Sequence, residues 1–107
     1  MTELSAVLAA LADPTRRAAV QRLAHGPATA NQLAALAPIS RPAVSQHLRV
    51  LRESGVVRGT PAGRHVFYEL SGAPLLEAQR WLDALVDQWS RAPVAEPHPP
   101  PPAKERS

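Results

Sequence analysis

Arg41, Ser45, Gln46 and Arg49 are spaced so that a helix would carry them together. At 100° per residue Pro42, Gln46 and Arg49 lie opposite an apolar stripe of Val44, Leu48 and Leu51, with Ser45 and Arg41 toward one edge. Arginine offers a planar fork of N–H donors that matches guanine or phosphate, glutamine can pair bidentately with adenine, and serine reaches a base edge or a phosphate. Such a set is suited to reading a nucleic-acid groove.

Charge points the same way. Of the 12 basic residues only Lys104 is lysine; the rest are arginines, the side chain best matched to planar, two-pronged contacts. Between residues 40 and 65, Arg41, Arg49, Arg52, Arg58 and Arg64 stand against the single acid Glu53, a local balance of +4 in a chain whose total is +3. A basic block between near-neutral flanks marks the surface that meets an anionic partner. Other chemistry finds little support. No serine or cysteine sits in a nucleophile elbow, no glycine loop could cradle a nucleotide, and the carboxylates Glu3, Asp13, Glu53, Glu69, Glu77, Asp83 and Asp87 are scattered.

The elements that must position these residues follow from punctuation. Leu4, Val7, Leu8 and Leu11 recur at helical spacing, predicting a first helix that ends at Asp13. Asp13-Pro14 caps and opens a second, carrying Ala19, Val20 and Leu23 and stopping at Gly26-Pro27. Thr29 with Gln32 forms a capping-box pattern for a third helix, which Pro38 closes after about two turns. Ser40 opens the fourth, the reader helix. Ile39 and Val44 have the spacing of a hydrophobic staple, and Gly55 supplies the terminating residue. Pro42 disfavours helical geometry at Arg41, which leaves the start open by one residue. Beyond Gly55 the period becomes two: a short strand at Val56-Val57-Arg58, a type I turn at Thr60-Pro61-Ala62-Gly63, and a return strand from Arg64 to Leu70. Val66, Tyr68 and Leu70 share one face and His65, Phe67 and Glu69 the other. Pro74 starts a last helix bearing Leu75, Ala78, Trp81, Leu82, Leu85 and Trp89.

The expected fold is therefore mainly α with a small β-hairpin: a winged helix-turn-helix of five helices plus the wing, occupying residues 1–92. Six of the 12 prolines fall in 93–107, predicting a disordered, proline-rich tail. One domain suits a chain of 107 residues without cysteine. No run approaches the roughly 18 apolar residues of a membrane span. The first apolar stretch follows Glu3 rather than a basic region and so does not read as a signal peptide, which places the expected protein in the cytoplasm.

Three blocks in this order, Ala12-Asp13-Pro14-Thr15-Arg16-Arg17, the run from Ser40 to Val57, and Gly63-Arg64-His65-Val66-Phe67-Tyr68-Glu69-Leu70, resemble the ArsR family of bacterial transcriptional regulators over residues 4 to about 90. The resemblance implies a dimeric repressor bound to an inverted repeat in double-stranded DNA, with the first and last helices pairing the two subunits. Candidate DNA contacts are Ser40, Arg41, Pro42, Ser45, Gln46 and Arg49 on the reader helix, with Arg58 and Arg64 on the wing. Candidate dimer contacts are Leu4, Val7, Leu8, Leu11, Trp81, Leu85 and Trp89, more large apolar surface than a small monomer covers.

The chain departs from the metal-sensing members. Thr29-Ala30-Asn31-Gln32 stands where they carry paired cysteines, and the last helix has Glu77, Asp83 and Asp87 but no histidine. His25, His47, His65 and His98 lack the short spacings of a zinc site. No metal or cofactor is expected, and a small-molecule or protein effector is left open. The alternatives are a metal-responsive repressor with an atypical site and a winged-helix protein-interaction module, against which the arginine-bearing outer face argues. His47 is read as packing or capping. Arg52 is open between Glu53 and phosphate, and Arg16 and Arg17 between phosphate and a structural role. Trp81 and Trp89 suit interface core better than an effector pocket, and Tyr68 the hairpin core.

Overall fold

Capping signals in the sequence translate into element boundaries. The computed structural model describes residues 3–93, which form α1 (Glu3–Ala10), α2 (Pro14–Leu23), α3 (Ala30–Ala34), α4 (Arg41–Glu53), an antiparallel hairpin of β1 (Val57–Ala62) and β2 (His65–Leu70), and α5 (Gly72–Arg91). Five helices and a two-stranded wing were expected. Apart from Pro93, the expected tail lies outside the described residues.

Asp13 sits in extended geometry and its carboxylate accepts the Arg16 N–H at 3.0 Å, with Pro14 in the first turn of α2. Thr29 and Gln32 form a complete capping box on α3: the Gln32 N–H donates to the Thr29 hydroxyl at 3.2 Å, and the Thr29 N–H donates to Gln32 Oε1 at 2.8 Å. Ser40 Oγ accepts the Ala43 N–H at 3.2 Å. This fixes the start of α4 at Arg41 despite Pro42, because proline in a first turn removes an N–H the helix does not use.

Several boundaries move from expectation. α1 ends at Ala10 and α3 at Ala34, each continuing only as turns, and α5 begins at Gly72 rather than Pro74. The wing turn also shifts. β1 runs through Pro61 to Ala62, leaving Gly63-Arg64 as a two-residue connection in which Gly63 has φ +63° and Arg64, like every non-glycine residue among those described, does not have positive φ. Positive φ at the first central position alone is the type II′ pattern that matches strand twist. Pro61 lies opposite Val66, and pairs alternate away from the turn, so it occupies a non-hydrogen-bonded position where its missing N–H is harmless.

The core is aliphatic. Val7 and Ala10 of α1, Leu23 of α2, Leu33 of α3, Val44, Leu48 and Leu51 of α4, then Val56, Val57 and Ala78, are all buried in one cluster. Each fully buried Leu or Val contributes on the order of 1.5–3 kcal/mol. Leu4, Leu11, Ile39, Tyr68, Leu70 and Leu75 pack around them.

Arg16 ties three helices together. Its Nε donates to the Ala10 carbonyl at 2.7 Å and its Nη2 to Ala9 at 3.3 Å, satisfying the open C-terminus of α1, while Nη1 lies 3.2 Å from His47 Nδ1 on α4. A guanidinium can only donate, so in this contact the imidazole nitrogen is the acceptor. Arg17 donates to the Leu11 carbonyl at 2.8 Å. Both arginines are thus structural, and His47 is a packing residue.

The Arg16 N–H holds the Asp13 carboxyl below the usual aspartate range. A depressed folded-state pKa stabilises the fold above the ordinary aspartate value, and the contribution disappears as pH falls through the lower folded value. Asparagine caps equally well but does not titrate. The wild-type melting temperature should therefore fall more steeply than that of Asp13→Asn below about pH 4; parallel acid limbs in thermal melts would refute the assignment.

Candidate nucleic-acid interface

The inward stripe of α4 leaves a definite outward set. Val44, Leu48 and Leu51 are buried, whereas Ser40, Arg41, Pro42, Ser45, Gln46, Arg49 and Arg52 are exposed. Three local devices hold this face in place. The Ser40 cap fixes the start, Ile39 packs into the core before it, and Arg16 braces the middle through His47. At the far end the Gly55 N–H donates to the Arg52 carbonyl at 3.0 Å and the Val56 N–H to the Leu51 carbonyl at 3.1 Å, with Gly55 at φ +84°. That pair of bonds is a Schellman turn, and its usual hydrophobic contact is supplied by Leu51 and Val56, both 0% exposed.

The wing is anchored on two sides. Ala28, in the loop between α2 and α3, donates to the Tyr68 carbonyl at 3.0 Å and accepts from the Tyr68 N–H at 2.8 Å, adding a one-residue bridge to the free edge of β2. Across the hairpin Tyr68 pairs with Gly59, where a Cβ would lie 3.1 Å from the tyrosine ring and 3.0 Å from Val66. A side chain at position 59 would press on the tyrosine ring and on Val66, which would have to give by a few tenths of an ångström.

The arginines divide by whether the fold already uses them. Arg22 donates to the Gly26 carbonyl at 2.9 Å, Arg58 pairs with Glu69 across the hairpin at 3.0 Å, and Arg91 pairs with Asp87 at 3.2 Å. The side chains of Arg41, Arg49, Arg52 and Arg64 make no hydrogen bond or ion pair among the described residues. Arg52 is thereby not held by Glu53. Arg58, expected as a wing contact to DNA, is paired with the directly opposed Glu69, a partner invisible until the register is known. Ser40 was expected as a DNA contact, and its oxygen serves the helix cap.

One cleft joins the reader helix to the wing. Arg41 from α4, Arg64 and His65 from the wing, and Thr29 and Asn31 at the start of α3 line it together. Sequence reading singled out the two arginines separately and missed Asn31 as a polar partner, because no local spacing links residue 31 to residue 64. Among the described residues no group of three or more histidine, aspartate or glutamate side chains could hold a metal ion.

The candidate dimer residues separate. Val7 is 2% exposed and faces its own core, and Leu4 and Leu11 are half-buried against it, because α1 packs on α4 and α5 within the chain. From α1 only Leu8 is left outward, at 38% exposure. On α5, Trp81 and Leu85 are exposed as expected, Trp89 is half-buried, and Leu76, Leu82 and Val86 join them at about half exposure. The sequence reading left those three out of the candidate set.

A helix braced across a sharp turn by its predecessor, with an arginine-bearing outer face and an adjoining hairpin, defines a winged helix-turn-helix DNA-binding protein. Comparison with known proteins agrees. Residues 11–60 match a family model described as a helix-turn-helix domain. The HTH-type transcriptional regulator Rv2034 of Mycobacterium tuberculosis is 49% identical over 83 residues, spanning 78% of this chain and 75% of the relative. The transcriptional repressor SdpR of Bacillus subtilis is 33% identical, spanning 71% and 84%. A solved ArsR family transcriptional regulator, RHA00566, superposes with a TM-score of 0.77 at 33% identity, covering 84% of this chain and 93% of its own. The chain belongs to the ArsR family of transcriptional regulators, which are not enzymes. No helix among the described residues is long and apolar enough to cross a membrane.

Because Arg58 is already paired and Arg64 is not, their removal should differ. Arg64→Ala is expected to weaken DNA binding by about 1 kcal/mol or more, and Arg58→Ala by less than half as much, since a new phosphate contact must displace Glu69. Fluorescence anisotropy on one duplex checks this, and equal losses would contradict it.

Proposed function

We propose that this protein is a homodimeric repressor that lays two α4 helices into successive major grooves of an inverted repeat, about 10 base pairs between half-site centres, and blocks transcription there. The observation that carries the reading is the arginine division: those that the fold leaves unpaired cluster on α4 and the wing turn, with Arg80 of α5 the exception among the described residues. Arg49 and Gln46 are the base readers, Ser45 and Arg41 support them, and Arg64 sets register through the backbone. The repressor sense is favoured by the likeness to SdpR, and the protein's own promoter is the first operator to test. The protein works in the cytoplasm, where its DNA is.

Dimerisation is favoured by the outward apolar set of α5. Trp81, Leu82, Leu85 and Val86 lie 45–48% exposed on consecutive turns, a patch that an isolated subunit would leave in water. A second copy related by a two-fold axis would cover both patches at once, with Leu8 at the margin.

Arg49→Ala should cost about 1–3 kcal/mol on the specific duplex and relax preference at one base pair. An equal loss on random duplexes would reassign Arg49 to phosphate, and wild-type binding indifferent to salt would sink the electrostatic reading. Trp81→Glu should give monomers in sedimentation; an intact dimer would move the interface elsewhere.

A further inference from the structure

The cleft between α4 and the wing brings together groups from three separate elements. Arg41 stands at the first position of α4, Arg64 at the second position of the wing turn, and Asn31 in the first turn of α3. All three side chains are exposed, and none has a hydrogen bond or ion pair among the described residues. No acidic side chain lines the cleft. Two unpaired guanidinium groups lining one concavity with no acid beside them form a donor set that a single anion between them could satisfy. A tetrahedral phosphate, with several acceptor oxygens, can take donors from both arginines and from the Asn31 amide at once.

We infer that this cleft grips one backbone phosphate of each DNA half-site, shared between Arg41, Arg64 and Asn31. The inference rests on the groove-reading function proposed above and gives it a specific joint. The phosphate bridges reader helix and wing, so that the wing is held against DNA by the same anion that seats the N-terminus of α4. Arg41 is then a positioning contact and not a base reader, and Asn31, outside both the reader helix and the wing, becomes part of the interface.

The shared site makes a distinctive prediction. Two arginines on two phosphates would contribute independently to the salt dependence of binding, about 0.9 in slope each; two arginines on one phosphate contribute about 0.9 together. The test uses the full chain and the tightest duplex recovered from a randomised library, with each phosphate replaced in turn by a neutral methylphosphonate. One position per half-site should cost wild type about tenfold in affinity, the loss expected from one charge-assisted contact. Arg41→Ala and Arg64→Ala should each lose most of that sensitivity at the same position. The Arg41→Ala/Arg64→Ala double variant should lower the slope by about 0.9 per half-site and not about 1.8. Sensitivities lost at two different phosphates, or additive slopes, would overturn the shared site while leaving groove reading intact. Recovery of no duplex at all would sink both.

Asn31→Asp separates binding from folding. An acid in the first turn of a helix is favoured by the helix dipole, so thermal stability should hold or rise, yet repulsion from phosphate should weaken DNA binding about tenfold. Unchanged affinity in a folded Asn31→Asp variant would remove Asn31 from the site.

Discussion

At Gly55 the chain leaves α4 through a left-handed residue, and two backbone bonds, from Gly55 to Arg52 and from Val56 to Leu51, close the helix while directing the chain into β1. Leu51 and Val56 are both fully buried beside that turn, so the direction cannot change without exposing them. An added Cβ at Gly55 would lie 3.4 Å from Pro74 of α5, in ordinary contact, so the demand for glycine there comes from backbone conformation and not from space. Since the outward groups of the proposed interface belong chiefly to α4 and the wing, this turn sets the angle between the two surfaces proposed to meet one duplex.

Arginine does two different jobs in this protein, and the separation is physical. Near the helix junctions it closes open carbonyls: Arg16 and Arg17 at the end of α1, Arg22 at the end of α2. A long chain carrying a planar donor fork can reach back to a carbonyl while its methylenes cover apolar surface, which lysine does less well. On α4 and at the wing turn no carbonyl or carboxylate engages the side chains of Arg41, Arg49, Arg52 and Arg64, and the same kind of side chain is left for an external anion. A net charge of +3 conceals this division, because it counts engaged and free cations alike.

Helix starts were the most legible part of the fold. Asp13, Thr29 and Ser40 each cap an N–H three residues ahead, an interaction confined to one turn and so visible as a short pattern. The reader face was legible for the same reason, since Val44, Leu48 and Leu51 define its opposite side by period alone. The wing turn was misplaced by the attraction of Pro61 and Gly63 to a type I turn. What overrides that local preference is long-range: Tyr68 bonds to Ala28 on one edge and lies against Gly59 on the other, and this register carries β1 on to Ala62.

The sequence by itself determined where α2, α3 and α4 begin, which residues of α4 face outward, and that the absence of cysteine rules out thiolate metal chemistry, because each of these depends on residue type or on neighbours within a turn. Tertiary structure decided which arginines are free, that α1 turns Val7 inward and leaves α5 with most of the outward apolar surface, and that Asn31, Arg41 and Arg64 share a cleft. Those outcomes depend on which carbonyl, carboxylate or apolar face arrives from a distant part of the chain, and no periodicity along the sequence encodes that arrival.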